Sequence, residues 1–213
     1  MLRFKLAVGI WAVGAALTAC SPKEQVAAPA ASAASLATHA SNGELNGTDM
    51  RKENIGGDFT LTDGAGKPFQ LSDLSGRAVV LSFGYTHCPD VCPTELLTYS
   101  DALKQLGEQA KEVRVVFASV DPERDTPELV GKYAKQFHPD FIGITAAEGQ
   151  DLAAVKQQYR VVSAKVNAQA GSKAYLVDHT AGAYLIDKEG KVAVFAPYGS
   201  TPEAIAADLK TLL

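Results

Sequence analysis

The sequence predicts an α/β domain: a mixed central sheet with helices on both faces and a β-hairpin at its N-terminal side. Three observations carry this. Residues 78–85 are an apolar run broken only by Ser82, as expected of a strand buried on both faces, and residues 113–120 read as a second buried strand. Each run is followed by apolar residues at helical spacing. Near the C-terminus, two strand-like runs flank Lys188-Glu189-Gly190-Lys191, a turn too short for a crossover helix.

The elements follow in order. Phe59-Thr60-Leu61-Thr62 and Phe69-Gln70-Leu71-Ser72 alternate apolar and polar around Asp63-Gly64-Ala65-Gly66-Lys67-Pro68, which reads as a hairpin. After the strand at 78–85, residues 93–106 carry Leu96, Leu97, Tyr99, Leu103 and Leu106 at helical spacing, with Pro93 suited to the first turn. The strand at 113–120 leads to a helix from Thr126 to about Phe137, with Thr126 as N-cap and Pro127 in the first turn. A short strand at 141–145 and a helix at 151–159 come next. The hairpin 183–187/192–196 and a last helix opened by Thr201-Pro202-Glu203 complete the chain. No internal repeat is visible. Strand, helix, strand, helix, then hairpin and helix is a thioredoxin-like layout.

Ahead of this domain the chain changes character. Arg3 and Lys5 precede an apolar run at 6–17, and the segment ends Leu17-Thr18-Ala19-Cys20. A charged start, a short apolar centre and small residues at the cut are the layout of a secretory signal, predicted over residues 1–19. The run is shorter than the roughly 20 residues of a membrane span. A cysteine after Leu-x-Ala resembles the bacterial lipoprotein signal, which implies cleavage before Cys20 and lipidation of its sulfur; the other reading is a retained anchor helix. Either places the domain outside the cytoplasm and beside a membrane, on the periplasmic side. Residues 20–52 are rich in Ala, Ser, Asn and Gly, and read as a flexible tether to a domain over 53–213.

Charge narrows the partners. Without Arg3 and Lys5 there are 18 basic residues against 24 acidic ones, a net charge near −6. With no basic stripe, nucleic acid is excluded as a partner.

The chemistry centres on Cys88 and Cys92, four apart in Gly84-Tyr85-Thr86-His87-Cys88-Pro89-Asp90-Val91-Cys92-Pro93. The layout puts Cys92 at a helix start, where unpaired N–H groups and the helix dipole stabilise a thiolate. Three uses compete: a structural disulfide, a redox dithiol and a soft-metal site. The redox pair of thioredoxins has two intervening residues, and here there are three. Two thiolates suit copper(I), yet a pair alone rarely completes a protein site. A third donor is needed. His39 falls in the tether. His87 adjoins Cys88, so joint ligation would strain the loop, and it reads as a loop-packing residue. His138, in Phe137-His138-Pro139-Asp140, reads as a helix-end cap. His179 sits in Tyr175-Leu176-Val177-Asp178-His179-Thr180-Ala181, entering the strand that a thioredoxin-like domain places beside its cysteines. That location favours a ligand over a core histidine. Asp178 is either a partner orienting this imidazole or a turn cap. Asp121, Arg124 and Asp125 read either as a loop at a strand end, on the edge where α/β sheets place sites, or as an ion pair and a helix cap, with no ligand role in either case.

Three stretches carry a resemblance. They are residues 84–96, Ser119-Val120-Asp121-Pro122-Glu123-Arg124-Asp125-Thr126-Pro127-Glu128, and Val177-Asp178-His179-Thr180-Ala181 with Tyr184-Leu185-Ile186-Asp187. In this order they resemble the signature of the Sco/SenC family, from about residue 55 to the C-terminus. The resemblance implies a membrane-tethered thioredoxin-like domain that binds copper, as Cu(I) and Cu(II), through Cys88, Cys92 and His179. It further implies a metallochaperone role in maturing the binuclear copper centre of cytochrome c oxidase. The partners would be the copper-bearing oxidase subunit, a periplasmic copper donor and the membrane. Some members act as thiol–disulfide reductants, so Cys88 and Cys92 are also a candidate redox-active dithiol. Members often carry a transmembrane anchor, where this chain has a lipoprotein-like signal.

The rival reading is an extracytoplasmic thiol–disulfide reductase or peroxiredoxin-like enzyme without a copper role. A peroxiredoxin places Pro and Thr shortly before its reactive cysteine, and here Tyr85-Thr86-His87 stand there. A reductase needs no histidine opposite its cysteines.

Overall fold

The computed structural model describes residues 45–166 and 174–213. The signal segment at 1–19, Cys20, His39 and most of the expected tether lie outside the described residues.

Ten described strands form two sheets, flanked by four α-helices. β1 (Thr48–Asp49) is followed by the hairpin β2 (Thr60–Asp63) and β3 (Pro68–Gln70), then by β4 (Ala78–Gly84) and α1 (Val91–Leu106). Next come β5 (Val113–Ser119), α2 (Pro127–Lys135), β6 (Ile142–Thr145) and α3 (Leu152–Gln158). β7 (Ser163–Val166), β8 (Leu176–His179), β9 (Gly182–Ile186), β10 (Val192–Pro197) and α4 (Pro202–Lys210) complete the domain. The main sheet has the order β1-β10-β9-β4-β5-β6-β2-β3. β4, β5 and β6 run parallel, and β9 joins β4 antiparallel, so the sheet is mixed as expected.

Every residue of β4 is buried, which is why its sequence is apolar apart from Ser82. Its side chains alternate between two helix layers. On one face, Gly84 of β4 packs beneath Phe117 of β5 and Cys92 of α1. The Tyr133 ring of α2 stacks on Phe117 at 5.4 Å on this same face. On the other face, Phe83 meets Tyr159, just past α3, at 5.7 Å and Tyr184 at 6.3 Å. Helices therefore cover both faces. Both caps expected from the sequence form: the Thr126 and Thr201 hydroxyls accept from Leu129 N–H and Ala204 N–H, with proline in each first turn.

The main sheet takes in Thr48–Asp49, upstream of the boundary at 53 drawn from composition. β1 pairs with β10, and the buried Asp208 carboxylate of α4 accepts from the N–H groups of Asn46 and Gly47. β7 and β8 form a separate antiparallel ribbon, with Ser163 opposite His179. The sequence showed no strand at either place: β1 is two residues long, and β7 (Ser-Ala-Lys-Val) has little apolar content.

Candidate metal centre

Two elements bring three soft or borderline donors together. Cys88 lies in the loop after β4, and Cys92 lies in the first turn of α1, which begins two residues before Pro93. His179 ends β8, on the ribbon. One donor atom from each falls within 4.8 Å of the other two. This is the one cluster of three or more potential ligands among the described residues. The His179 Nε2 is 3.4 Å from Cys92 Sγ. Its Nδ1 is 2.9 Å from the Thr180 carbonyl oxygen. A carbonyl only accepts, so Nδ1 carries the proton and Nε2 is the nitrogen turned to the sulfurs.

The two thiols differ. The Cys92 backbone N–H points at Cys88 Sγ across 3.4 Å, so the sulfur occupies an anion position at the helix start. The Cys92 thiol as donor, with His179 and backbone N–H groups, holds the Cys88 thiol down to about 3. Cys92 is buried, and the same hydrogen bond to Cys88 together with its burial pushes its thiol up. Cys88 is therefore the thiolate and nucleophile of the pair, and Cys92 its proton-bearing partner. Burial works against charge on His179, but the Cys88 sulfur and the Thr180 carbonyl outweigh it and raise its pKa. No disulfide joins Cys88 and Cys92 here.

Glycine makes the site possible. A Cβ at Gly84 would come within 2.8 Å of Cys92 Sγ and 2.6 Å of Phe117 Cε2. Only hydrogen fits between the end of β4 and the sulfur.

Sequence reasoning missed Glu95. One turn beyond Cys92 on α1, it is 6% exposed, and its Oε1 has no hydrogen-bond partner among the described residues. Burial pushes its carboxyl up to about 7. The available signal was its spacing: three residues from Cys92 places both on one helix face.

The remaining candidates fall outside the cluster. His87 is half-exposed, with Nδ1 3.0 Å from Thr86 Oγ1 and 3.6 Å from Asp125 Oδ1. His138 Nδ1 accepts from Asp140 N–H, and its ring lies 5.3 Å from Phe141. Asp178 is exposed, and the imidazole's partner is the Thr180 carbonyl instead. Arg124 and Asp121 form the expected ion pair, buried at 2.5 Å. Asp125 is not a helix cap. It accepts from Thr86 N–H at 2.9 Å and from Ser119 Oγ at 2.6 Å, tying the cysteine loop to the end of β5.

Known proteins share this arrangement of sequence and fold. The SCO1/SenC family model matches residues 47–213. A SCO2-like protein of Rickettsia felis is 38% identical over 156 residues, covering 73% of this chain and 76% of its own. The structure of Bradyrhizobium japonicum ScoI with copper bound is 43% identical with a TM-score of 0.67, covering 75% of this chain and 99% of that one. BsSco, described as a member of the Sco family of cytochrome c oxidase assembly proteins with a disulfide switch, is 25% identical at a TM-score of 0.58. It covers 75% of this chain and 94% of that one. The family match spans the main sheet from β1 to α4 and all three residues of the cluster, and the chain belongs to the SCO1/SenC family.

Proposed function

We propose that this protein is a copper-binding metallochaperone for the binuclear copper centre of cytochrome c oxidase, with Cys88, Cys92 and His179 as ligands. The observation that carries the reading is the convergence of two sulfurs and one imidazole nitrogen within 4.8 Å. Two thiolates favour copper(I), and adding a neutral imidazole suits the site to copper(II) as well. The copper-bound ScoI structure supports the choice of metal. Copper here is cargo. Three protein ligands leave a position for a donor from the receiving subunit, so transfer can proceed by ligand exchange. The signal layout at residues 1–20 supports delivery from a lipid-anchored domain on the periplasmic side of a bacterial membrane, loaded there by a copper donor.

A second reading has its own observation. A thiolate at Cys88 beside a proton-bearing, buried Cys92 is the asymmetry of a dithiol reductant. Cys88 would attack a partner's disulfide, and Cys92 would then attack the mixed disulfide. The partner leaves with two thiols and this chain with a Cys88–Cys92 disulfide. That disulfide has no thiolate for copper, so the two roles exclude each other at any moment.

Copper titration of the reduced chain and its His179→Ala variant tests the first reading. One equivalent binds, a sulfur-to-copper(II) charge-transfer band appears, and the substitution abolishes or weakens it. Copper binding unchanged by the substitution, beside strong disulfide reductase activity, would leave the second reading standing alone.

A further inference from the structure

His179 is carried by the β7–β8 ribbon, which has no ladder with the main sheet. Something else must hold its imidazole in place. The strand β8 is anchored at its start by Tyr175. The Tyr175 hydroxyl donates to Asp121 Oδ1 at 2.7 Å, and Asp121 is 2% exposed. Arg124 Nε donates to the other Asp121 oxygen at 2.5 Å, and its Nη1 donates to the Tyr175 carbonyl at 2.8 Å. The guanidinium carbon also sits over the Tyr175 ring, 3.6 Å from its centroid. One arginine thus grips both the side chain and the backbone of the residue that immediately precedes β8. The guanidinium carbon also lies 5.6 Å from the centroid of the Tyr85 ring. The Tyr85 ring stands edge-on to the His179 ring at 5.9 Å.

We propose that Asp121, Arg124 and Tyr175 are positioning residues for His179. They dock the ribbon onto the end of β5 and, through Tyr85, set the imidazole against the two sulfurs. This inference rests on the copper reading for its consequence but not for its geometry. A two-coordinate copper(I) site needs only the thiolates, whereas copper(II) needs the nitrogen. The clamp therefore governs copper(II) far more than copper(I).

The test uses the full chain with Tyr175→Phe, which removes one hydroxyl and keeps the ring. Arg124→Met serves as a second variant. Tyr175→Phe weakens copper(II) binding about tenfold, the range seen when residues supporting a metal ligand are removed. Copper(I) affinity, measured by chelator competition, stays within about threefold because both sulfurs remain. In a His179→Ala background Tyr175→Phe adds no further loss, as expected of a residue acting through the imidazole. Equal copper(II) losses with and without His179, or no loss at all, would overturn the proposal. NMR of the metal-free chain gives an answer independent of copper. The His179 ring signals shift in Tyr175→Phe and Arg124→Met while those of His87 and His138 hold still. An unmoved His179 ring overturns the clamp; a moved ring in a chain that binds no copper faults the copper reading instead.

Discussion

Cys92 and His179 stand 87 residues apart in the chain, yet Sγ and Nε2 are separated by 3.4 Å. The contact joins the first turn of α1 to the end of the β7–β8 ribbon, so the site exists only when both are docked on the domain. Its chemistry is unequal. Cys88, in the loop, is the sulfur that a reagent or partner meets first, and Cys92 is buried behind it.

Selective alkylation follows from that inequality. With Cys88 held down to about 3, it is a thiolate throughout the neutral range. An ordinary thiol reacts about tenfold more slowly for each unit the pH falls below its pKa. The reduced, metal-free chain should show an iodoacetamide rate at Cys88 that is flat from about pH 5 to 8. Cys92 should stay unmodified, because its proton is retained. Cys88→Ser should remove the fast phase and Cys92→Ser should keep it. A rate that climbs steadily toward pH 9 would show that the helix start does not stabilise this thiolate.

Gly84→Ala probes the floor of the site without replacing a ligand. The added methyl meets Phe117 and Cys92 Sγ at distances no real contact adopts. Forcing such a group into a packed core typically costs about 1–3 kcal/mol. The expected outcome is a loss of that size in urea denaturation, with copper affinity reduced because the sulfur is displaced. Alanine tolerated with unchanged affinity would mean that β4 and α1 separate without consequence.

The sequence made the core strands and the ligand triplet legible for different physical reasons. β4 and β5 are readable because burial on both faces leaves few polar positions, Ser82 in one and Arg114 and Ser119 in the other. The cysteines are readable because thiols near a proline-flanked helix start are rare and specific. His179 was legible only through its place in the layout and the family resemblance; spacing alone does not connect residues 92 and 179. The ribbon was not legible, since its strands pair with each other outside the main sheet and carry exposed residues. Nor was β1, whose two residues pair with β10 while Asp208 holds Asn46 and Gly47 just upstream. Glu95 was passed over because a glutamate on a helix is ordinarily solvated; its burial is a tertiary property.

Glu95 gives a pH test. Its carboxyl is pushed up to about 7, above the 4.5 of an open-chain glutamate, so the folded chain binds the extra proton between those values. Stability from this group is full below about 4.5 and is lost as the pH rises through 7. The loss amounts to at most about 3 kcal/mol. Glu95→Gln removes the titration. The reduced, metal-free variant should therefore gain on the original chain between pH 5 and pH 8 in urea denaturation. Parallel stability curves for the two proteins would mean that the carboxyl ionises at no cost.

Asp208 tests whether the segment upstream of residue 53 belongs to the folded domain. Its carboxylate is 2% exposed and accepts three hydrogen bonds: Asn46 N–H at 2.7 Å, Asn46 Nδ2 at 2.9 Å and Gly47 N–H at 2.8 Å. Gly47 is pressed so closely on β10 that a Cβ would lie 2.5 Å from Val194 Cγ1. The N-terminal segment is thus pinned from α4 on one side and laid against β10 on the other. Asp208→Ala leaves two backbone donors unmatched, and such groups cost about 1–3 kcal/mol each when they stay buried. The segment escapes that cost by detaching into water, so the expected loss is nearer 2 kcal/mol than the sum. Hydrogen exchange at Asn46 and Gly47 should accelerate to the open-chain rate while the β4 and β5 amides remain protected. The alkylation rate of Cys88 should not change, because β1 lies three strands from β4, whose end carries the cysteine loop. Slow exchange at Asn46 and Gly47 in Asp208→Ala would show that β10 alone holds the segment and that the carboxylate is dispensable.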